Sequence, residues 1–102
     1  MNNYKPKILV VDDKPNNLHF FSKILTDKGY KVQRAISGQL ALNGAMDAPP
    51  DLILLDIIMP HMDGYEVCRR LKATPETREI PIIFLSALNE ALDKVKAFEV
   101  GG

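Results

Sequence analysis

The sequence predicts an α/β protein, a doubly wound parallel sheet with helices on both faces. Three observations lead there. Four strand-like runs recur along the chain, "ILVV", "YKVQRAI", "LILLD" and "IIFLS". Segments with apolar residues at helical spacing separate them. The connections are too long for hairpins, so successive strands run parallel, with right-handed crossovers that lay helices on the sheet.

Each element has its own signal. Ile8 to Val11 is continuously apolar rather than alternating, as expected of a strand buried on both faces. Pro15, after "DDK", suits the first turn of a helix carrying Leu18, Phe21, Ile24 and Leu25 on one side and ending near Gly29. "YKVQRAI" is a second, partly exposed strand with Val32 and Ile36 inward. "SGQLALNGAM" is a weaker helix, because Gly38 and Gly44 lower its propensity. "APPD" breaks it, and "LILLD" is the third strand. A helix from about Gly64 to Ala73 places Val67, Cys68 and Leu71 at a helical repeat. "TPETREIP" is a loop and "IIFLS" the fourth strand. Asn89 to Val100 is a last helix, with Leu92, Val95 and Phe98 inward.

Composition narrows the function. At 102 residues there is room for one domain with one core. Thirteen basic and thirteen acidic side chains cancel, so no net field draws the chain to nucleic acid or an anionic membrane. The opening "MNNYKPK" leads into a four-residue apolar run, too short for a signal peptide or a membrane span. The single cysteine, Cys68, cannot form an internal disulfide, which agrees with a reducing, cytoplasmic setting. It reads as a small core residue, since nothing basic is placed to lower its pKa.

In such sheets ligands gather beyond the carboxyl ends of the strands. The first strand ends in Asp12-Asp13, the third in Asp56 and the fourth in Ser86. Three acids and a hydroxyl therefore converge on one rim. Carboxylates so close repel one another unless a cation neutralises them. Oxygen-only ligands favour Mg²⁺, which accepts one or two carboxylates and keeps water and phosphate oxygens, over zinc. A carboxylate beside Mg²⁺ can accept a phosphoryl group, because the metal screens the incoming anion. Asp56, alone at the end of the central buried strand, is the expected acceptor. The bland rivals are ordinary. An Asp pair after a strand is often a turn or helix cap, Ser86 a loop hydroxyl, Lys14 a solvated loop charge, and His19 and His61 solvated surface residues. Met59 and Met62 read as loop packing, and Asp63 as a helix cap.

The runs "ILVVDDKP", "LILLDIIMPHMDGYEV", "IIFLSA" and "AFEVGG" resemble the receiver domain of two-component response regulators. The resemblance implies a flavodoxin-like sheet of order 2-1-3-4. It implies that Asp56 is phosphorylated by a sensor histidine kinase or phosphotransfer protein. Asp13 then ligates Mg²⁺ directly, Asp12 mostly through water, and the backbone carbonyl of Ile58 adds a further ligand. Ser86 hydrogen-bonds the transferred phosphoryl group, and small Ala87 leaves it approachable. Side chains two beyond the acceptor and two beyond the serine govern attack by water. Here these are Ile58 and Leu88, apolar, so a full-length version is expected to keep its phosphate long.

The family pattern continues past "GG" with a fifth strand, a Lys-Pro pair and a fifth helix; this sequence stops at Gly102. The expectation is a shortened receiver, residues 1–102, whose bared fourth strand promotes homodimers. Without that lysine, coupling of Asp56 to Ser86 is expected to be weak. Three other functions compete. A haloacid-dehalogenase-type phosphatase needs an acid two residues after its nucleophile, where this chain has Ile58. A flavodoxin-like cofactor module needs a phosphate-cradling first turn, which "DDKPNN" does not supply. A receiver fold used only for docking or oligomerisation, never productively phosphorylated, is the strongest of the three.

Overall fold

The computed structural model describes residues 4–85. Its elements alternate as expected: β1 (Lys7–Val11), α1 (Pro15–Asp27), β2 (Lys31–Ala35), α2 (Gly38–Asp47), β3 (Leu52–Asp56), α3 (Gly64–Ala73) and β4 (Ile82–Leu85). The four strands form one parallel sheet in the order β2-β1-β3-β4. The order reverses between β1 and β3, which pair with Val11 beside Leu55. The helix expected over Asn89 to Val100, and Ser86, lie outside the described residues.

Continuous apolar strands serve two cores at once, because successive side chains point to opposite faces. Leu9 and Val11 of β1 and Ile53 and Leu55 of β3 join Ala41 and Ala45 of α2 and Val67, Cys68 and Leu71 of α3 in the larger cluster. Ile8 and Val10 face the other way, onto Leu18 of α1, with Phe21, Leu25, Val32, Leu52 and Leu54 packed around them. Fully burying a Leu or Ile side chain stabilises by about 1.5–3 kcal/mol, so the larger cluster carries more of the fold among the described residues. No helix among them is long and apolar enough to cross a membrane.

Local chemistry sets the helix ends. Pro15 opens α1, where its missing N–H costs nothing. The Ser37 hydroxyl caps α2 by accepting from the Leu40 amide, and Asp63 caps α3 by accepting from Glu66. The chain leaves α1 through Gly29, whose φ of +93° suits a residue without a side chain.

Two readings need correction. Ile36 lies past the end of β2 and is exposed; Ala35 is the inward residue there. Ile24 is exposed as well, at the edge of the stripe that Leu18, Phe21 and Leu25 define on α1. The segment "TPETREIP" is a loop, as expected, and a pinned one: Thr77 is buried and its hydroxyl donates to the Leu71 carbonyl at 2.7 Å.

Candidate functional site

The β1–β3 register builds the site. Val11 lies beside Leu55, so the next residues, Asp12 and Asp56, emerge side by side at the carboxyl rim. Asp13 follows Asp12 as the chain turns toward α1. One carboxylate oxygen from each of Asp12, Asp13 and Asp56 lies within 4.8 Å of the others. Asp12 and Asp56 are buried, at 2% and 9% exposure, and Asp13 is half-buried.

The three acids are held differently. Asp12 is tied into the turn: its oxygens accept the Lys14 amide at 2.9 Å and the Asn17 side-chain amide at 3.1 Å. The turn reading of this residue is thus correct, and it coexists with membership of the cluster. Asp13 accepts from the Lys14 ammonium at 3.2 Å. One oxygen of Asp56, Oδ2, is buried with no hydrogen-bond partner. The Lys14 ammonium lies 3.9 Å from it, an electrostatic pair beyond hydrogen-bonding reach. Burial, reinforced by the charge of Asp12, pushes the Asp56 carboxyl up to about 6, with Lys14 pulling the other way.

Gly64 explains why this acid sits so close to a helix. Its amide donates to the Ile57 carbonyl at 2.8 Å, so α3 begins against the backbone of Asp56 and Ile57. A Cβ at position 64 would collide with the Asp56 carbonyl oxygen and crowd the Ile57 Cα. The loop between carries His61 at φ +70°, an uncommon conformation for a side-chain-bearing residue. Met59 of this loop is buried and Met62 packs partly onto the larger core, as expected.

Among the described residues, three carboxylates, one with a buried orphan oxygen, are poorly compensated by one exposed lysine. That donor set fits a hard, oxygen-seeking divalent cation of the Mg²⁺ kind, with no nitrogen or sulfur ligand in the group.

Residues 8–102 match the response regulator receiver domain family. The chain belongs to that family. This receiver domain is 44% identical over 95 residues to the response regulator PleD of Caulobacter vibrioides, covering 93% of the chain and 21% of PleD. It is 40% identical over 96 residues to RpaA of Synechocystis, described as a DNA-binding dual master transcriptional regulator, covering 94% of the chain and 40% of RpaA. The chain thus spans a minor share of the relatives' length. The crystal structure of the N-terminal domain of a response regulator receiver protein from Methanoculleus marisnigri superposes with a TM-score of 0.82 at 40% identity, covering 94% of this chain and 76% of that one.

Of the receiver residues expected from sequence, the structure brings Asp12, Asp13 and Asp56 together. Ile58 sits two residues past Asp56 with its side chain exposed. Ser86 lies outside the described residues. Two neighbours escaped the sequence reading. Asn17 reaches back from the first turn of α1 to Asp12; its place in "DDKPNN", two residues after the proline that opens the helix, is the signal that could have shown it. Lys14, read as a solvated loop charge, leans over the acids while remaining 60% exposed.

Proposed function

We propose that this receiver domain accepts a phosphoryl group on Asp56 from the phosphohistidine of a sensor histidine kinase or a phosphotransfer protein. An Asp56 oxygen attacks phosphorus, a new O–P bond forms, the N–P bond breaks, and the electron pair stays on the imidazole nitrogen. Asp12, Asp13, Asp56 and the main-chain carbonyl of Ile58 are the residues that would hold Mg²⁺. When bound, Mg²⁺ supplies positive charge that screens acceptor and phosphoryl oxygens from one another.

The chain's own residues supply position. The rigid, doubly buried β3 holds Asp56 at the rim, and the start of α3 fixes its backbone from behind. Asp12, clamped by the Lys14 amide and Asn17, cannot swing away from it. With its carboxyl at about 6, Asp56 is ionised at neutral pH and available as the nucleophile. Ser86 is assigned the hydrogen bond to the transferred phosphoryl group.

The single observation that carries this reading is the buried, unpartnered Asp56 Oδ2 within a three-acid cluster. The test is uptake of beryllofluoride, a phosphoryl mimic, followed by NMR on the full chain. Saturable, Mg²⁺-dependent binding that vanishes in Asp56→Asn is expected. No binding in millimolar Mg²⁺, with the fold intact, would move the domain to the docking-only class.

A further inference from the structure

Lys14 stands where the sequence alone gave it no task. Its main chain is fixed three ways. Pro15 follows it, which restricts it to extended backbone, and its φ of −101° and ψ of 113° obey that restriction. Its amide donates to Asp12. Its carbonyl accepts the amides of Asn17 and Leu18, the first bonds of α1. From this fixed base the ammonium reaches Asp13 at 3.2 Å and Asp56 at 3.9 Å. The cluster therefore carries a positive charge tethered by its own backbone, at an effective concentration that free monovalent ions in solution do not match.

We propose that Lys14 is a built-in counter-cation of the acid cluster, competing with the divalent ion and setting the concentration at which the domain takes up Mg²⁺. The inference rests on the reading that Asp12, Asp13 and Asp56 bind that ion. If the ammonium withdraws when the ion enters, its pairs with Asp13 and Asp56 are lost. If it stays, two cations share one small cluster and repel. Either way the lysine stabilises the metal-free state more than the metal-bound state and weakens uptake. Because the side chain is largely exposed, the effect is moderate, about two- to fivefold in affinity. Lys14 is a tuning residue: it acts through the charge of the site, and no bond is made or broken at it.

The test uses Mg²⁺ alone, on the full chain without phosphorylation. Lys14→Met keeps the length of the side chain and removes the charge; Lys14→Arg keeps the charge. Calorimetric titration should show Mg²⁺ binding about two- to fivefold tighter in K14M and close to the parent in K14R. Thermal melts supply a readout independent of any ligand. In EDTA, K14M should melt below the parent, and saturating Mg²⁺ should close that gap. Equal or weaker Mg²⁺ binding by K14M, or an EDTA melting point at or above the parent's, overturns the proposal. The pattern of failure separates the two readings. If parent and K14M bind Mg²⁺ equally, the role of Lys14 falls and the metal site stands. If neither binds at millimolar Mg²⁺, both fall together.

Discussion

Asp51 and Asp56 bracket the same strand, and their surroundings are opposite. Asp51, just before β3, is exposed and amply partnered: the Tyr4 hydroxyl and the Lys7 amide both donate to its Oδ2. The Tyr4 hydrogen bond, with the Lys7 amide behind it, holds its carboxyl below the ordinary range. Asp56, the last residue of β3, is buried beside two other acids with an oxygen left orphaned, and its carboxyl is pushed up to about 6. One end of the strand uses a carboxylate to fasten the N-terminal segment to the sheet. The other end keeps a carboxylate under-satisfied. Buried polar groups are normally paired, and exceptions cluster where chemistry is done; the contrast sets Asp56 apart from Asp51 as the end of the strand that the proposed function uses.

The largest effect that could break this contrast is on phosphoryl uptake. Asp56→Asn should reduce labelling from a phosphohistidine donor to background, while Asp51→Asn should leave it within about twofold, since no reacting group touches residue 51. Comparable loss in both variants would mean that the two ends are not functionally distinct.

Next comes Gly64→Ala. The added methyl meets backbone at Asp56 and Ile57, which cannot rotate aside as a side chain can. Urea unfolding should show a loss of about 3 kcal/mol. An unchanged midpoint would show that α3 is not seated on the Asp56 backbone.

The pH dependence sharpens the contrast further, because the two acids act with opposite sign. Asp56 has its native carboxyl raised from 3.8 to about 6, so the folded state binds more protons than the unfolded state between those values. In EDTA its contribution is most favourable below about pH 4 and declines as pH rises toward 6, by about 2–3 kcal/mol. Asp51, with its native value lowered from 3.8, contributes stability above that pH and loses it as acid brings the pH down through the lowered native value. Melting curves in EDTA from pH 3 to 8 should show the decline in the parent and not in Asp56→Asn, and saturating Mg²⁺ should flatten it by favouring the ionised form.

The smallest expected effect is from Tyr4→Phe. The hydroxyl bonds an exposed carboxylate, so the variant should lower the urea midpoint slightly, without changing the slope. A drop as large as that of Gly64→Ala would mean that the N-terminal segment matters more to the fold than its exposure suggests.

Much of this was legible in the sequence, for identifiable reasons. Uninterrupted apolar runs fixed β1 and β3, and with them the rim where Asp12, Asp13 and Asp56 emerge. Pro15 and Asp63 marked helix starts by chemistry that needs no tertiary context. The misses share a different cause. Ile36 and Ile24 are apolar by type, but exposure is decided by where a strand stops and how wide a helix stripe must be. Thr77, polar and within a loop, is buried because the Leu71 carbonyl at the end of α3 offers it a partner. Lys14 and Asn17 depend on reach: both lie in plain sight beside the Asp pair, but only the turn around Pro15 determines where their side-chain nitrogens arrive. Spacing places backbones well and long side chains poorly.

The bond from the Gly64 amide to the Ile57 carbonyl clasps both feet of the loop between them. Its tip, around Pro60 and His61, is exposed and lies outside that clasp. Lengthening the tip costs chiefly the entropy of a longer closed loop, a term that grows only logarithmically, and leaves the acid's position untouched. The loop is thus a natural place for a recognition hairpin or a reporter peptide to be spliced in, within a few residues of Asp56, without redesigning the sheet that presents it.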